Sequence, residues 1–390
     1  MQSFSLIKNE LIETIDKSAV DNYIDPKPLK NTLKTLVKIA NSQVLSSGSL
    51  YSKRMIFDIP KSYDNLAQLY IKATLSTGDV LATMETYFGA KLFKNVYLKT
   101  KKGTVLQNVF VEYTVARLDE LADSQLMTKI NAGLEADGDF SAGSQTVIVP
   151  LFFFFSNENA FLKTRDLEQL ELECVVNESK ESMGMDVDLT SASFELYALY
   201  HDTNGSNKFS ELTLSKKSIP RVLKGSFNTF EEDLVVCASG STSAKLLLRC
   251  PHPSYVLHVS LVNATTQREQ IKTVKIVVKG NTLIEFDYRM NYQFYGQQNS
   301  IVSSGTVSLF FSKLCSRYID SGLVTFSKEM FPCYLEVTFD SLGSDYTLHA
   351  FEEYRTNFPV NDYGEIHLSN DIKDSTEGLD QVNSSTSRFN

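Results

Sequence analysis

The chain has 390 residues, with 38 Lys and Arg against 47 Asp and Glu and a formal net charge of −9. Gripping nucleic-acid phosphates needs a surplus of basic residues over at least one domain, so this balance argues against that as the main task. A hydrophobic share of 42%, with 25 Phe, 18 Tyr and no Trp, can fill two or three cores without staples.

The first fifty residues read as helical. Leu6, Ile7, Leu11, Ile12 and Ile15 form an amphipathic stripe, Asp25-Pro26 breaks it, and Leu29, Leu33, Leu36 and Val37 mark a second short helix. Lys27, Lys30, Lys34 and Lys38 run down another face of that helix, either as a solvated face or as an arm that touches an anionic surface. Residues 1–8 lack the basic and apolar regions of a signal peptide. The longest apolar run, Val147 to Phe155, falls short of the ~18 residues that span a bilayer. A soluble protein made in a cytoplasm is expected. The cysteines (174, 237, 250, 315 and 333) are odd in number with no close pair, and read as buried free thiols.

From about Met55 the period changes to that of strands. Segments 53–60, 69–75, 92–98, 105–113, 147–155, 167–176, 194–200 and 211–215 are mostly rich in β-branched or aromatic residues, and several alternate apolar with polar. Turn residues such as Lys102-Gly103 separate many of them. One helical insert is expected at 118–134, where Leu118, Leu121, Ala122, Leu126 and Ile130 keep a 3.6 period and Gly133 can end the helix. In a strand over 147–155, Phe152 and Phe154 would face one way and Phe153 and Phe155 the other, one pair in the core and one free to meet a neighbouring barrel or subunit.

The two halves repeat. Arg54 to Pro60 matches Lys245 to Pro251, Leu69 to Leu75 matches Tyr255 to Leu261, and Lys94 to Leu98 matches Lys272 to Ile276. In the same order, Thr104-Val105-Leu106 matches Thr282-Leu283-Ile284, and Val149-Pro150-Leu151-Phe152-Phe153 matches Val307-Ser308-Leu309-Phe310-Phe311. Leu170-Glu171-Leu172, Phe194 to Ala198 and Glu211 to Ser215 then match Leu335-Glu336-Val337, Tyr346 to Ala350 and Glu365 to Ser369. Their shared order carries the argument. It implies an all-β chain of two tandem eight-stranded units: a helical arm at 1–49, one unit at 50–218, a linker at 219–234, a second unit at 235–370 and a polar, flexible tail at 371–390. Eight antiparallel strands with a long connection after residue 113 fit a jelly roll better than an up-and-down barrel.

Chemistry is sparse. None of the five histidines pairs with another His or a carboxylate at metal-ligand spacing, and no nucleophile elbow, P-loop or dinucleotide fingerprint is present. Asp186-Val187-Asp188 lacks the glycine and terminal glutamate of a calcium loop. No catalysis, cofactor or metal is expected.

The run Val147-Ile148-Val149-Pro150-Leu151-Phe152-Phe153-Phe154-Phe155-Ser156-Asn157-Glu158-Asn159 resembles a strand of the double jelly-roll major capsid proteins of icosahedral viruses, the group of tailless membrane-containing bacteriophages, nucleocytoplasmic large DNA viruses and adenovirus hexon. That strand has the form apolar-Pro-Leu-Pro-Phe-Trp-Phe followed by a polar turn, and Phe152 and Phe154 here replace its second Pro and its Trp. Residues 160–173 and 346–354 are similar to the family's next and penultimate strands. The resemblance implies a shell protein, made in the host cytoplasm and located in the virion, whose homotrimers form pseudo-hexagonal tiles. Its partners would be itself, neighbouring trimers and minor capsid or vertex proteins. Chain ends beneath the barrels would bring the lysine arm to an internal membrane or the genome. Val149 to Phe155 would be its core and assembly strand. A minor capsid or vertex protein, or a glycan-binding or glycan-hydrolysing double jelly roll, is the alternative. The lack of Trp platforms and paired carboxylates weighs against the glycan readings.

Overall fold

The computed structural model describes residues 32–39, 43–61, 65–78, 83–119, 121, 125–133, 143–156, 162–164, 167–203, 222–249, 253–263, 268–287, 306–311, 324–325 and 332–361. The first half runs β1 (Thr32–Lys38), β2 (Gln43–Ser46), α1 (Ser47–Leu50), β3 (Arg54–Ile59), β4 (Asn65–Gly78), α2 (Phe88–Lys91), β5 (Phe93–Thr100), β6 (Val105–Phe110), α3 (Val111–Asp119), α4 (Leu126–Asn131), β7 (Gly143–Leu151), β8 (Leu162–Lys163), β9 (Leu170–Val176) and β10 (Ser191–Thr203). The second half runs β11 (Val222–Cys237), β12 (Ser243–Leu247), β13 (Pro253–Asn263), β14 (Ile271–Val278), β15 (Asn281–Asp287), β16 (Thr306–Phe310), β17 (Val324–Thr325), β18 (Cys333–Phe339) and β19 (Tyr346–Asn361).

Alternation decides the faces. In β4, Leu69, Ile71, Ala73 and Leu75 are fully buried while Tyr70, Lys72, Thr74 and Ser76 between them stay partly exposed. This period of two puts one face of the strand in a core and the other outside. In β13, Leu257, Val259 and Leu261 are likewise buried in the core of the second half.

The strands pair antiparallel in four sheets. The first half has β1-β10-β4-β7, with β2 added on β10 and β8 on β4, and β3-β9-β5-β6. The second half has β11-β19-β13-β16, with β17 on β13, and β12-β18-β14-β15. Replacing β1 by β11, β3 by β12 and so on through β10 and β19 turns one strand order into the other. Residues of both sheets of each half meet in a shared core: Phe57, Leu98 and Leu172 with Ile71, Val149 and Leu196 in the first, Leu246, Ile276 and Leu335 with Leu257, Leu309 and Leu348 in the second. Two facing antiparallel sheets with this connectivity are a jelly roll. The chain is two jelly rolls in tandem, as the internal repeat implied.

Several elements differ from expectation. The helix expected over Leu29 to Val37 is strand β1 from Thr32 onward, because its backbone finds partners along Tyr197–Thr203 of β10. The helix expected over Leu6 to Ile15 lies outside the described residues. The segment 219–234, expected to be a linker, is strand from Val222: β11 pairs with β19 from Val222↔Asn361 to Cys237↔Tyr346. The eighth strand of each barrel therefore precedes the other seven. The pair expected to close the barrels, 211–215 and 365–369, lies outside the described residues, as does the tail 371–390. The strand expected over 105–113 ends at Phe110, where α3 begins, and of the helix expected over 118–134 the described residues place 118–119 at the end of α3 and 126–131 in α4. Gly133 does end α4: it has φ +90, and a Cβ there would sit 2.7 Å from Cδ1 of Phe88.

β1 and β2 together do for the first barrel what β11 does alone for the second. β1 pairs with Tyr197–Thr203 of β10 and β2 with Ser191–Phe194 of the same strand.

Candidate functional site: the aromatic turn and the seam between the barrels

Strand β7 points Val147, Val149 and Leu151 into the core. Pro150 lies on this outer strand of the sheet, where the N–H it lacks costs little. After Leu151 the chain turns. The Phe153 N–H donates to the Leu151 carbonyl at 3.1 Å, and the Ser156 N–H to that of Phe153 at 2.8 Å. The Ser156 hydroxyl donates to the Leu151 carbonyl at 2.8 Å and accepts from the Phe153 N–H at 3.0 Å. The Phe154 N–H donates to Oε1 of Gln107 on β6 at 2.8 Å. Backbone polar groups that β7 no longer pairs are thus satisfied inside the protein.

The turn overrides the expected alternation. Phe152, Phe153, Phe154 and Phe155 are all buried, at 5, 3, 4 and 0% exposure. Phe155 stacks on Phe153 at 5.7 Å and meets Phe154 edge-on at 5.2 Å, and the Arg117 guanidinium lies over Phe152 at 5.4 Å. No pair of them is left on the surface for a neighbour. The segment is an aromatic plug for the first barrel.

The seam between the barrels begins where β6 passes into α3. Phe110 and Tyr113 project toward the outer face of the second barrel's β13 and β19. There Phe351 meets Phe110 edge-on at 5.3 Å and Tyr113 at 6.0 Å, and it is fully buried as part of the first barrel's core. His258 stacks on Phe351 at 4.9 Å. Its Nδ1 lies 2.8 Å from the Ser308 hydroxyl and its Nε2 lies 3.6 Å from Glu353 Oε2. The Tyr113 hydroxyl donates to Glu353 Oε1 at 3.1 Å. His258 is wholly buried and Glu353 nearly so. Buried polar groups stay this way only when hydrogen-bonded, so the cluster fixes how one barrel sits on the other.

His349 lies nearby on β19, with Nδ1 2.6 Å from Glu232 Oε1. Burial alone would lower its pKa. The hydrogen bond to Glu232 and the carboxylates of Glu112 and Glu232 outweigh it and raise the pKa above the usual 6.5. Glu112 belongs to α3 of the first barrel, so this charge balance also spans the seam. An open cleft of about 530 Å³ runs beside it, lined by polar groups such as Lys94, Asn108, Glu112, Glu232 and Asp345.

The lysine stripe is described only in part. Lys27 and Lys30 lie outside the described residues. Lys34 and Lys38 lie on β1, where a strand period replaces the helical one. The Lys38 ammonium is paired with Glu195, which also takes Lys72 at 3.4 Å. Asp186 and Asp188 are engaged in loop contacts: Asp186 accepts the Thr83 N–H and Asp188 the Tyr51 hydroxyl, both at 2.8 Å. Among the described residues, no three His, Cys, Asp or Glu converge as a metal site, and no helix is long and apolar enough to cross a membrane. Cys174, Cys237 and Cys333 are buried free thiols, and burial pushes the thiol of Cys333 up to about 12.

Sequence reasoning missed the seam. His258 and Glu353 are far apart in the chain, and no local spacing joins them. The available signal was β13 itself, whose His258 and Ser260 lie opposite a fully apolar face in a long strand.

No protein-family model and no curated protein matches the chain. Solved structures do. VP54 of PBCV-1 superposes with a TM-score of 0.67 at 13% identity, covering 88% of this chain and 98% of that one. The Faustovirus major capsid protein gives 0.58 at 11% identity, covering 91% and 96%. The mavirus major capsid protein gives 0.53 at 10% identity, covering 85% and 92%. The fold is that of the double jelly-roll major capsid proteins.

Proposed function

We propose that this chain is a major capsid protein: a structural component of an icosahedral virion that assembles as a homotrimer, places six barrels around one axis and tiles edge to edge with neighbouring trimers. One observation carries the reading. The likeness runs over 98% of the length of a capsid protein, so both barrels and their mutual arrangement are shared rather than one common module. The internal design agrees. The two barrels are locked by a buried seam, as a rigid tile requires. The Ser308–His258–Glu353 contact, which has the residue types of a nucleophile with its base, is buried in the seam beneath Phe351 and Tyr113 and closed to a substrate, which supports a structural rather than a catalytic role.

Copy number tests this. In gels of purified particles that contain this chain, its band should dominate the protein content. A chain present at only a few copies per particle would be a minor capsid or vertex protein instead.

A further inference from the structure

The two barrels carry the same row of residues across the same sheet, and only one row is covered. In the second barrel the register aligns Glu232, Phe351, His258 and Ser308 across β11, β19, β13 and β16. In the first it aligns Lys38, Tyr197, Tyr70 and Pro150 across β1, β10, β4 and β7. Counted across each sheet from the matched pair Pro150 and Ser308, Phe351 and His258 take the places of Tyr197 and Tyr70; the sequence matches of β4 with β13 and of β10 with β19 run two residues out of step with this row but keep the same face outward. Both pairs project from the outer face, since their strand neighbours Leu196, Ala198, Leu257 and Val259 are buried in the cores. Phe351 and His258 are wholly buried because Phe110 and Tyr113 of the first barrel lie on them. Tyr70 and Tyr197 remain partly exposed. Around them Leu36 is 60% and Ile148 36% exposed, and Leu199, opposite Leu36 in the register, is partly exposed.

The other outer faces look different. On β3-β9-β5, Arg54 and Lys99 hold Glu173 at 2.9 and 2.5 Å. On β12-β18 and β14-β15, Lys245 pairs with Glu336 at 2.8 Å and Lys275 with Glu285 at 2.9 Å. The face of Tyr70 and Tyr197 has ion pairs too, Glu195 with Lys38 and with Lys72 at 3.4 Å, but it adds partly exposed tyrosines and exposed aliphatic side chains beside them, a mixture that suits an interface.

We infer that the face formed by Leu36, Leu199, Tyr197, Tyr70 and Ile148 is the docking surface for the second barrel of another copy of this chain. The argument is continuation of the seam already present. Within one chain, the end of the first barrel next to β6 covers the row of the second. This is a head-to-tail contact, and it leaves one row uncovered at the start of every chain. A head-to-tail contact repeated with closing rotation makes a ring. The covering group is then the corresponding end of a second barrel, next to β15. The inference rests on the capsid reading, and it adds which face the subunits share.

Light-scattering mass and thermal melting of the full chain test it with four variants. Tyr70→Arg and Tyr197→Arg bring a charge into the row. Leu36→Asp changes a side chain already mostly in solvent on an outer strand, so it tests the same face with little risk to folding. Ile56→Arg, on the outer face of β3 and 47% exposed, is the control. The expected result is loss of trimer in Tyr70→Arg and Tyr197→Arg at concentrations where the unaltered protein is trimeric, a shift of trimer dissociation to higher concentration in Leu36→Asp, and intact trimer in Ile56→Arg. If the Arg variants do not fold, the Leu36→Asp shift alone decides. Trimers unaffected by all three face variants would overturn the docking face and leave the capsid reading standing. An unaltered chain that is monomeric throughout would overturn the capsid reading and the face with it.

Discussion

Tyr113 and Glu353 are 240 residues apart in the chain and joined by a buried 3.1 Å hydrogen bond. Tyr113 comes from the helix that follows β6, and Glu353 from the last described strand. The bond closes the seam around His258 and Phe351, so the placement of one barrel on the other is a chemical feature of the chain.

Tyr113→Phe keeps the ring contacts with Phe110, Phe351 and His258 and removes only the donor to a buried carboxylate. Hydrogen bonds to charged groups are worth about 1.5–3 kcal/mol. A loss in that range is expected in urea unfolding, with the fold retained. No change in the unfolding midpoint would mean that the bond adds nothing to the seam.

Phe155→Ala should destabilise the first barrel by on the order of 3–5 kcal/mol, because it removes a fully buried aromatic side chain that packs against two others. Phe153→Ala should follow it in the same direction, since the turn buries both. Denaturant titrations of the two variants check this. A silent Phe153→Ala would restore the alternating-strand picture.

Gly133→Ala adds a Cβ at φ +90 against the Phe88 ring. A non-glycine residue held in this region costs of order 1–3 kcal/mol. The substitution should lower the melting temperature of the first barrel, whereas Gly103→Ala, at positive φ but with open space around the Cβ, should cost less. Calorimetry of both variants separates packing from backbone strain.

His349 makes stability depend on pH. Its folded pKa is raised above 6.5, so the stability it contributes is fully present below about pH 6.5 and is lost as the pH rises through the folded value. The gap in unfolding free energy between the unaltered protein and His349→Gln should therefore be largest near pH 6 and should shrink by pH 9. A gap that is flat or grows with pH would show that the Glu232 and Glu112 carboxylates do not hold the proton.

The central strands were legible because both physical signals agreed there. Leu69, Ile71, Ala73 and Leu75 alternate, are apolar, and repeat at Leu257, Val259 and Leu261. The outer strands were not. In β1 the spacing of Leu33, Leu36 and Val37 fits a helix as well as a strand, and only pairing with β10 decides. In β11 the acidic run Glu231-Glu232-Asp233 reads as linker, yet an edge strand exposed along one side tolerates such residues. Alternation assigns only one pair of Phe152 to Phe155 to the core, and the turn that buries all four depends on Gln107 and Ser156, which no periodicity reveals. The seam was illegible for a related reason: its residues belong to β6, α3, β13, β16 and β19 and come together only once both barrels exist.

The mass of the pure protein in solution tests the account most directly. Light scattering over a range of concentrations should give about three times the 43.8 kDa chain mass, and particle images should show six similar densities around one axis. A stable monomer at high concentration, or a dimer, would contradict the reading.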